Sequence, residues 1–145
     1  MLEVRPARID DAEAVAVLAG QLGYPTTVAE ARTRLARITG DPDHAALVVE
    51  VAGPGVIGWL HVFVARRLDC DPFAEISGLV VAEGFRGRRV GETLTHAALA
   101  WAAELGCREV RVRSNVVRSD AHRFYQRLGF VQIKAQAVFT LQLGS

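Results

Sequence analysis

The most constraining feature of this chain is an apolar run, Phe73 to Val81, followed by Ala82-Glu83-Gly84-Phe85 and an Arg- and Gly-rich turn, Arg86-Gly87-Arg88-Arg89-Val90-Gly91, that opens a segment of helical periodicity. A strand that feeds through such a turn into a helix N-terminus leaves several backbone N–H groups unpaired. With the helix dipole these make a ready anion site. Arginines at 86, 88 and 89 add charge suited to phosphate. Neither GxxxxGK[ST] nor GxGxxG can be laid on the segment, so it is not one of the common nucleotide loops. On the residues alone, a phosphate-cradling turn and a solvated arginine-rich loop read equally well.

The rest of the chain arranges itself around that strand. Leu2 to Pro6 reads as a short first strand, and Asp10 or Asp11 as the cap of a helix with Ala14, Val15, Leu18 and Leu22 at helical spacing. Gly23-Tyr24-Pro25-Thr26 breaks it. A second helix begins near Thr27 with Val28, Ala31, Leu35 and Ile38 as its stripe. Ala45 to Val51, the turn Gly53-Pro54-Gly55 and Val56 to Ala65 read as a hairpin. Gly78 interrupts the third apolar run and suits a bulge or a close backbone approach. Leu94, Ala98, Trp101 and Leu105 share a face of the long helix, and Gly106 stands where its C-terminal cap belongs. Glu109 to Arg113 is a strand, Arg118 to Leu128 a short helix, and Gln132 to Leu143 alternates like a final strand. No repeat or linker divides the 145 residues, a length suited to one mixed α/β domain.

A balance of 17 basic against 16 acidic residues gives a net charge of +1, which does not suit a nucleic-acid binder. No apolar stretch approaches the roughly 20 residues of a membrane span, and the N-terminus lacks a signal peptide's apolar run. Cys70 and Cys107 cannot build a disulfide framework, which fits a reducing, cytoplasmic setting. His44, His61 and His96 form no metal-spaced set, so no metal is expected.

A second informative stretch runs from Ser114-Asn115 to Ala121-His122-Arg123-Phe124-Tyr125-Gln126-Arg127-Leu128-Gly129-Phe130. Ala121, Phe124, Tyr125 and Leu128 share one helical face. Taken alone, Tyr125 is a core residue with its hydroxyl at the surface.

Together the two stretches resemble the GNAT superfamily of acyl-CoA-dependent N-acetyltransferases. Arg86 to Gly91 is similar to that family's [Q/R]xxGx[G/A] pyrophosphate pattern, with one departure: Arg89 stands where the family has a glycine. Asn115, Phe124-Tyr125 and Leu128-Gly129-Phe130 are similar to its second signature. The resemblance implies a single domain with a central, mostly antiparallel sheet, splayed at the cofactor site and flanked by about four helices. It implies acetyl-CoA as cofactor. The pantetheine arm would run beside Leu79, Val80 and Val81, and the pyrophosphate would lie on Arg86, Gly87, Arg88, Arg89, Val90, Gly91 and Glu92. Asn115 would bond the arm, and Phe124 and Tyr125 would stand near the sulfur.

Transfer of an acetyl group to an amine needs a neutral amine, a stabilised oxyanion and a protonated leaving thiolate. A phenol, with an ordinary pKa near ~10, carries a proton at neutral pH, which suits Tyr125 as the acid. A strand N–H near Leu79 to Val81 suits the thioester carbonyl. Phe73-Ala74-Glu75-Ile76 resembles a segment of the family's histone acetyltransferases whose glutamate acts through water, making Glu75 the candidate base; the bland reading is an edge-strand carboxylate. Glu83 reads as a loop charge, and His122 as a residue of the helix flank. The acceptor cleft implied by the resemblance takes in Leu22, Tyr24 and Pro25, then Leu68 to Asp71, then Val138 to Thr140. Asp69, Asp71 and Glu75 bias its mouth toward a cationic amine of a small molecule or peptide. The alternative is an acyl-CoA-binding sensor or interaction module of the same fold without transferase activity. The apolar end, Val138 to Leu143, suits either an internal strand or pairing in a homodimer.

Overall fold

A computed structural model describes residues 2–113 and 119–144 of the chain. In the first of two compact units, which runs to Arg113, five strands form one sheet in sequence order: β1 (Val4–Pro6), β2 (His44–Val51), β3 (Gly55–Ala65), β4 (Phe73–Val81) and β5 (Val110–Val112). The first three pairings are antiparallel and β4 pairs β5 in parallel. Helices α1 (Ala12–Gln21), α2 (Val28–Thr39) and α3 (Val90–Glu104) complete this unit. The second unit contains α4 (Ser119–Arg127). No helix among the described residues is long and apolar enough to cross a membrane.

The two sheet faces carry different helices because the side chains alternate. Leu60, Val62 and Ile76 are buried on one face. There α3 lies so close that a Cβ on Gly58 would stand 2.8 Å from Val90 and 3.2 Å from Leu94. The absent side chain of Gly58 thus sets how near α3 approaches. On the other face Val48 and Trp59 pack with Ala12, Ala16, Ala31 and Leu35 of α1 and α2. Each fully buried leucine, isoleucine or valine here contributes about 1.5–3 kcal/mol.

Local chemistry explains most element ends. Thr27 Oγ1 accepts the Glu30 N–H at 3.0 Å while Glu30 accepts the Thr27 N–H at 2.9 Å, a reciprocal cap that starts α2. Asp11 precedes α1 but does not cap it with its side chain. Its carboxylate instead accepts the Arg8 N–H at 2.7 Å and both Arg5 nitrogens at 2.9 Å, tying β1 to the helical layer. The Arg5 hydrogen bonds hold the Asp11 carboxyl below the ordinary carboxylate range.

Three expectations shift. The buried stripe of α3 is Val90, Leu94, Thr95, Ala98 and Ala102, whereas Leu105 is exposed. The helix is rotated slightly from the one its large apolar residues suggest, because small residues let it lie close to the sheet. Glu75 is not on an edge strand, since β4 lies between β3 and β5. Residues 132–143 form no strand among the described residues. Alternation supplies a face, but a strand also needs a neighbour for its backbone groups, and the sequence pattern does not say whether one exists.

Candidate functional site

The turn between β4 and α3 is shaped by backbone strain. Gly87 has φ 79° and Arg89 has φ 64°, and Arg89 alone among the described non-glycine residues lies in the left-handed region. A side chain there costs about 1–2 kcal/mol. The family's glycine at this position answers that conformation, and this chain keeps the conformation while carrying an arginine. The Arg89 side chain is 86% exposed and reaches Glu92 at 4.0 Å, so it turns away from the backbone N–H groups.

Arg89 is the N-cap of α3, and no side chain caps that end. The first helical bond described runs from Thr93 N–H to the Arg89 carbonyl at 2.9 Å, so the N–H groups of Val90, Gly91 and Glu92 precede the hydrogen-bonded ladder. Arg88 lies over the Phe85 ring at 5.4 Å, and Arg86 Nε donates to the Val81 carbonyl at 3.3 Å, closing the end of β4 over the turn. A residue that sequence reading missed helps to anchor this segment. Gln21, the last residue of α1, accepts the Glu83 N–H at 3.1 Å, a contact between positions 62 residues apart that no local pattern signals.

Upstream of the turn, β4 pairs β5 among the described residues from Ala74 to Ile76, and its pairing with β3 runs to Val81. Among the described residues, Leu79, Val80 and Val81 are therefore laddered by strand pairing on the β3 side alone. The residues present fit an acyl-CoA: the strand backbone at Leu79 to Val81, suited to an amide-bearing arm, leads into an uncapped, arginine-lined helix N-terminus for a pyrophosphate.

Glu75, on the same strand, has a side chain only 12% exposed and pairs with Arg113 at 3.2 Å. Asp69 is paired with Arg67 at 3.0 Å. Of the three acids expected to bias the cleft mouth, only Asp71 has no ion-pair partner among the described residues. A cavity of about 470 Å³ is lined by Cys70, Asp71, Cys107 and Glu109 near the starts of β4 and β5, away from the phosphate turn.

In the second unit, Phe124 and Tyr125 lie in α4 with their rings edge-on at 5.1 Å. Gly129, at φ 99°, turns the chain beyond the helix, and the Phe130 N–H donates to the Tyr125 carbonyl at 3.0 Å. The Leu-Gly-Phe run is therefore a glycine-dependent helix stop. Asn115 lies outside the described residues. No group of three or more metal-ligating side chains occurs among those described.

The acetyltransferase (GNAT) family profile matches residues 13–130, most of the chain and both motif regions. The chain belongs to this family. Acetyl-CoA is the acyl donor that its members use. Among relatives, this GNAT chain is 42% identical over 82 residues to an aminoalkylphosphonate N-acetyltransferase of Salmonella typhimurium, a match covering 53% of this chain and 51% of that protein. It thus spans about half of that relative's length. It is 26% identical over 144 residues to an aminoglycoside N(6')-acetyltransferase of Stenotrophomonas maltophilia, covering 97% and 93%. Among solved structures, it is similar to a Bacillus halodurans transcriptional regulator, with TM-score 0.83, 26% identity and coverage of 97% and 100%. It also shares the fold of an aminoglycoside N-acetyltransferase solved with CoA, with TM-score 0.83, 21% identity and coverage of 99% and 96%.

Proposed function

We propose that this GNAT chain is an acetyl-CoA-dependent N-acetyltransferase that acts on a primary amine of a small molecule or peptide, by direct transfer in a ternary complex, with residues 1–145 working as one catalytic domain. The observation that carries this reading is the uncapped, left-handed entry to α3 that follows strand β4. The aminoalkylphosphonate and aminoglycoside relatives direct the acceptor search toward small amines first. Free Cys70 and Cys107 suit a reducing, cytoplasmic setting.

Bound acetyl-CoA supplies the acetyl thioester. The N–H groups of Val90, Gly91 and Glu92 bind the pyrophosphate, with Gly87, the Arg89 backbone and the Arg86 and Arg88 side chains around them. Leu79, Val80 and Val81 bind the pantetheine arm by strand addition, and a β4 N–H polarises the carbonyl under attack. Asn115 and Phe124 hold the arm near its reactive end. Tyr125 keeps a proton at Oη for the departing sulfur. Glu75, fixed by Arg113, draws the cationic amine and holds it beside the strand.

A second reading, an acyl-CoA-binding regulator without turnover, is favoured by the similarity to a protein titled a transcriptional regulator. Thermal unfolding with acetyl-CoA, CoA and ATP, followed by acetylation assays, separates the two. Ligand at 100 times its Kd stabilises by about 2.7 kcal/mol. A shift with acetyl-CoA and CoA but not ATP, plus acetylation of an amine, supports the enzyme. The same shift with no amine acetylated supports the regulator, and no shift rejects both.

A further inference from the structure

On the sheet face that carries Trp59, strands β2, β3 and β4 bring three polar side chains into one hydrogen-bonded line. Ser77 Oγ is 2.7 Å from His61 Nδ1, and His61 Nε2 is 2.9 Å from His44 Nδ1. His44 Nε2 lies 3.8 Å from a carboxylate oxygen of Asp41, at the exposed end of the line. The two imidazoles stack at 5.2 Å with an 18° tilt, and Phe63 covers His44 at 5.3 Å.

A bulge in β4 builds this arrangement. Val62 pairs Ile76 and His61 pairs Gly78, so Ser77 is the extra residue and stands beside His61. Ser77 is exposed, two residues from Glu75 and two from Leu79. It therefore lies on the strand segment assigned to the reacting centre.

The line has one consistent direction. A carboxylate only accepts, so Asp41 favours the proton of His44 at Nε2. His44 Nδ1 then accepts from His61 Nε2–H, and His61 Nδ1 accepts from the Ser77 hydroxyl. One choice of tautomers satisfies every contact.

We propose that Ser77, His61 and His44 form a proton relay that takes a proton from the acceptor amine and delivers it toward Asp41 and water, while Glu75 holds the amine in place. The relay rests on the transferase reading. In the step, an amine N–H bond breaks and leaves its electron pair on nitrogen. Ser77 Oγ takes that proton and passes its own to His61 Nδ1. His61 releases its Nε2 proton to His44 Nδ1, and His44 releases its Nε2 proton to Asp41 or water. No electrons leave the chain. It resets as the hydroxyl rotates and the rings re-equilibrate their tautomers. Among the described residues, the charged and titratable groups placed near His61 by these contacts and the strand register are His44 on β2, Asp41 before it, and Glu75 on β4 with its partner Arg113. Burial, and next the neighbouring His44, push the His61 pKa down to about 4, so the ring is neutral at neutral pH and one of its nitrogens is an acceptor.

Two measurements on the full chain test the relay. Nitrogen NMR of the histidines, which needs no cofactor, should show both His61 and His44 protonated at Nε2, with Ser77→Ala moving the His61 Nδ1 resonance. A proton on His61 Nδ1 reverses the line and overturns the proposal. With 2-aminoethylphosphonate as the probe amine, Ser77→Ala and His61→Gln should each lower kcat about 100-fold at pH 7. KM for acetyl-CoA should stay within about twofold. The deficit should shrink at high pH, where the amine deprotonates unaided, and Ser77→Thr should restore turnover. Equal pH profiles for wild type and both variants would overturn the relay alone. Failure of wild type to bind acetyl-CoA would instead reject the transferase reading and the relay with it, whatever the tautomers.

Discussion

Phe130 donates its backbone N–H to the Tyr125 carbonyl at 3.0 Å and meets the Tyr125 ring edge-on at 5.6 Å. The residue proposed as the acid is thus held by the cap that ends its own helix, through a backbone bond and a ring contact. Tyr125→Phe keeps both and removes only the hydroxyl. Its expected outcome is a fall in kcat of about 100-fold with unchanged cofactor affinity. Gly129→Ala, at φ 99°, should cost at least about 1 kcal/mol within the cap and lower kcat by misplacing the same ring. Steady-state kinetics beside thermal melts check the pair, and full turnover by Tyr125→Phe removes the acid assignment.

Arg89 holds a left-handed backbone without a glycine's freedom. Arg89→Gly should relieve about 1–2 kcal/mol of strain and lose part of that gain to a more flexible unfolded chain. A net gain of about 0.5–1 kcal/mol is expected, a rise of a few degrees in melting temperature. Because the backbone amides do the proposed binding, CoA affinity measured by calorimetry should change by less than about fivefold. A larger loss would assign the phosphate contact to the Arg89 guanidinium instead.

Gly58 leaves no room for a side chain beneath α3. The added methyl of Gly58→Ala would meet Val90 at 2.8 Å and Leu94 at 3.2 Å. Overpacking of this kind costs about 1–3 kcal/mol. Since Val90 is the first residue of α3, the displacement should also weaken CoA binding, so melting temperature and affinity should fall together. A fall in stability with unchanged affinity would show that the turn adjusts independently of the sheet.

His61 makes stability depend on pH with a definite sign. Its folded pKa of about 4 lies below the ordinary 6.5, so the unfolded chain binds more protons between those values. Stability therefore rises with pH across that window, and is lost as pH falls from 6.5 toward 4. Asp11 and Asp43, held below the ordinary carboxylate value of 3.8 by arginine hydrogen bonds, act in the same direction only at lower pH. Melts from pH 7.5 to 4.5 should flatten in His61→Gln, and a parallel curve for the variant would exclude His61 as the source.

The sequence by itself determined the order of elements as far as α4 and the chemistry of the turns. Phe73 to Val81 forms the strand that its run of apolar residues suggested, Thr27 and Glu30 cap α2 through a local pair, and Gly129 stops α4 where the Leu-Gly-Phe run indicated. These features depend on neighbours within a few residues, so spacing carries them. The tertiary structure decided what lies between distant positions. Which face of α3 is buried follows from the gap over Gly58. Whether Glu75 stands free or paired depends on Arg113, 38 residues away. Whether residues 132–143 become a strand depends on a partner for their backbone. Most of all, His44, His61 and Ser77 carry no metal or motif spacing, and they meet because strand register and a one-residue bulge set three strands side by side. Register is a property of paired strands, and no segment read alone contains it.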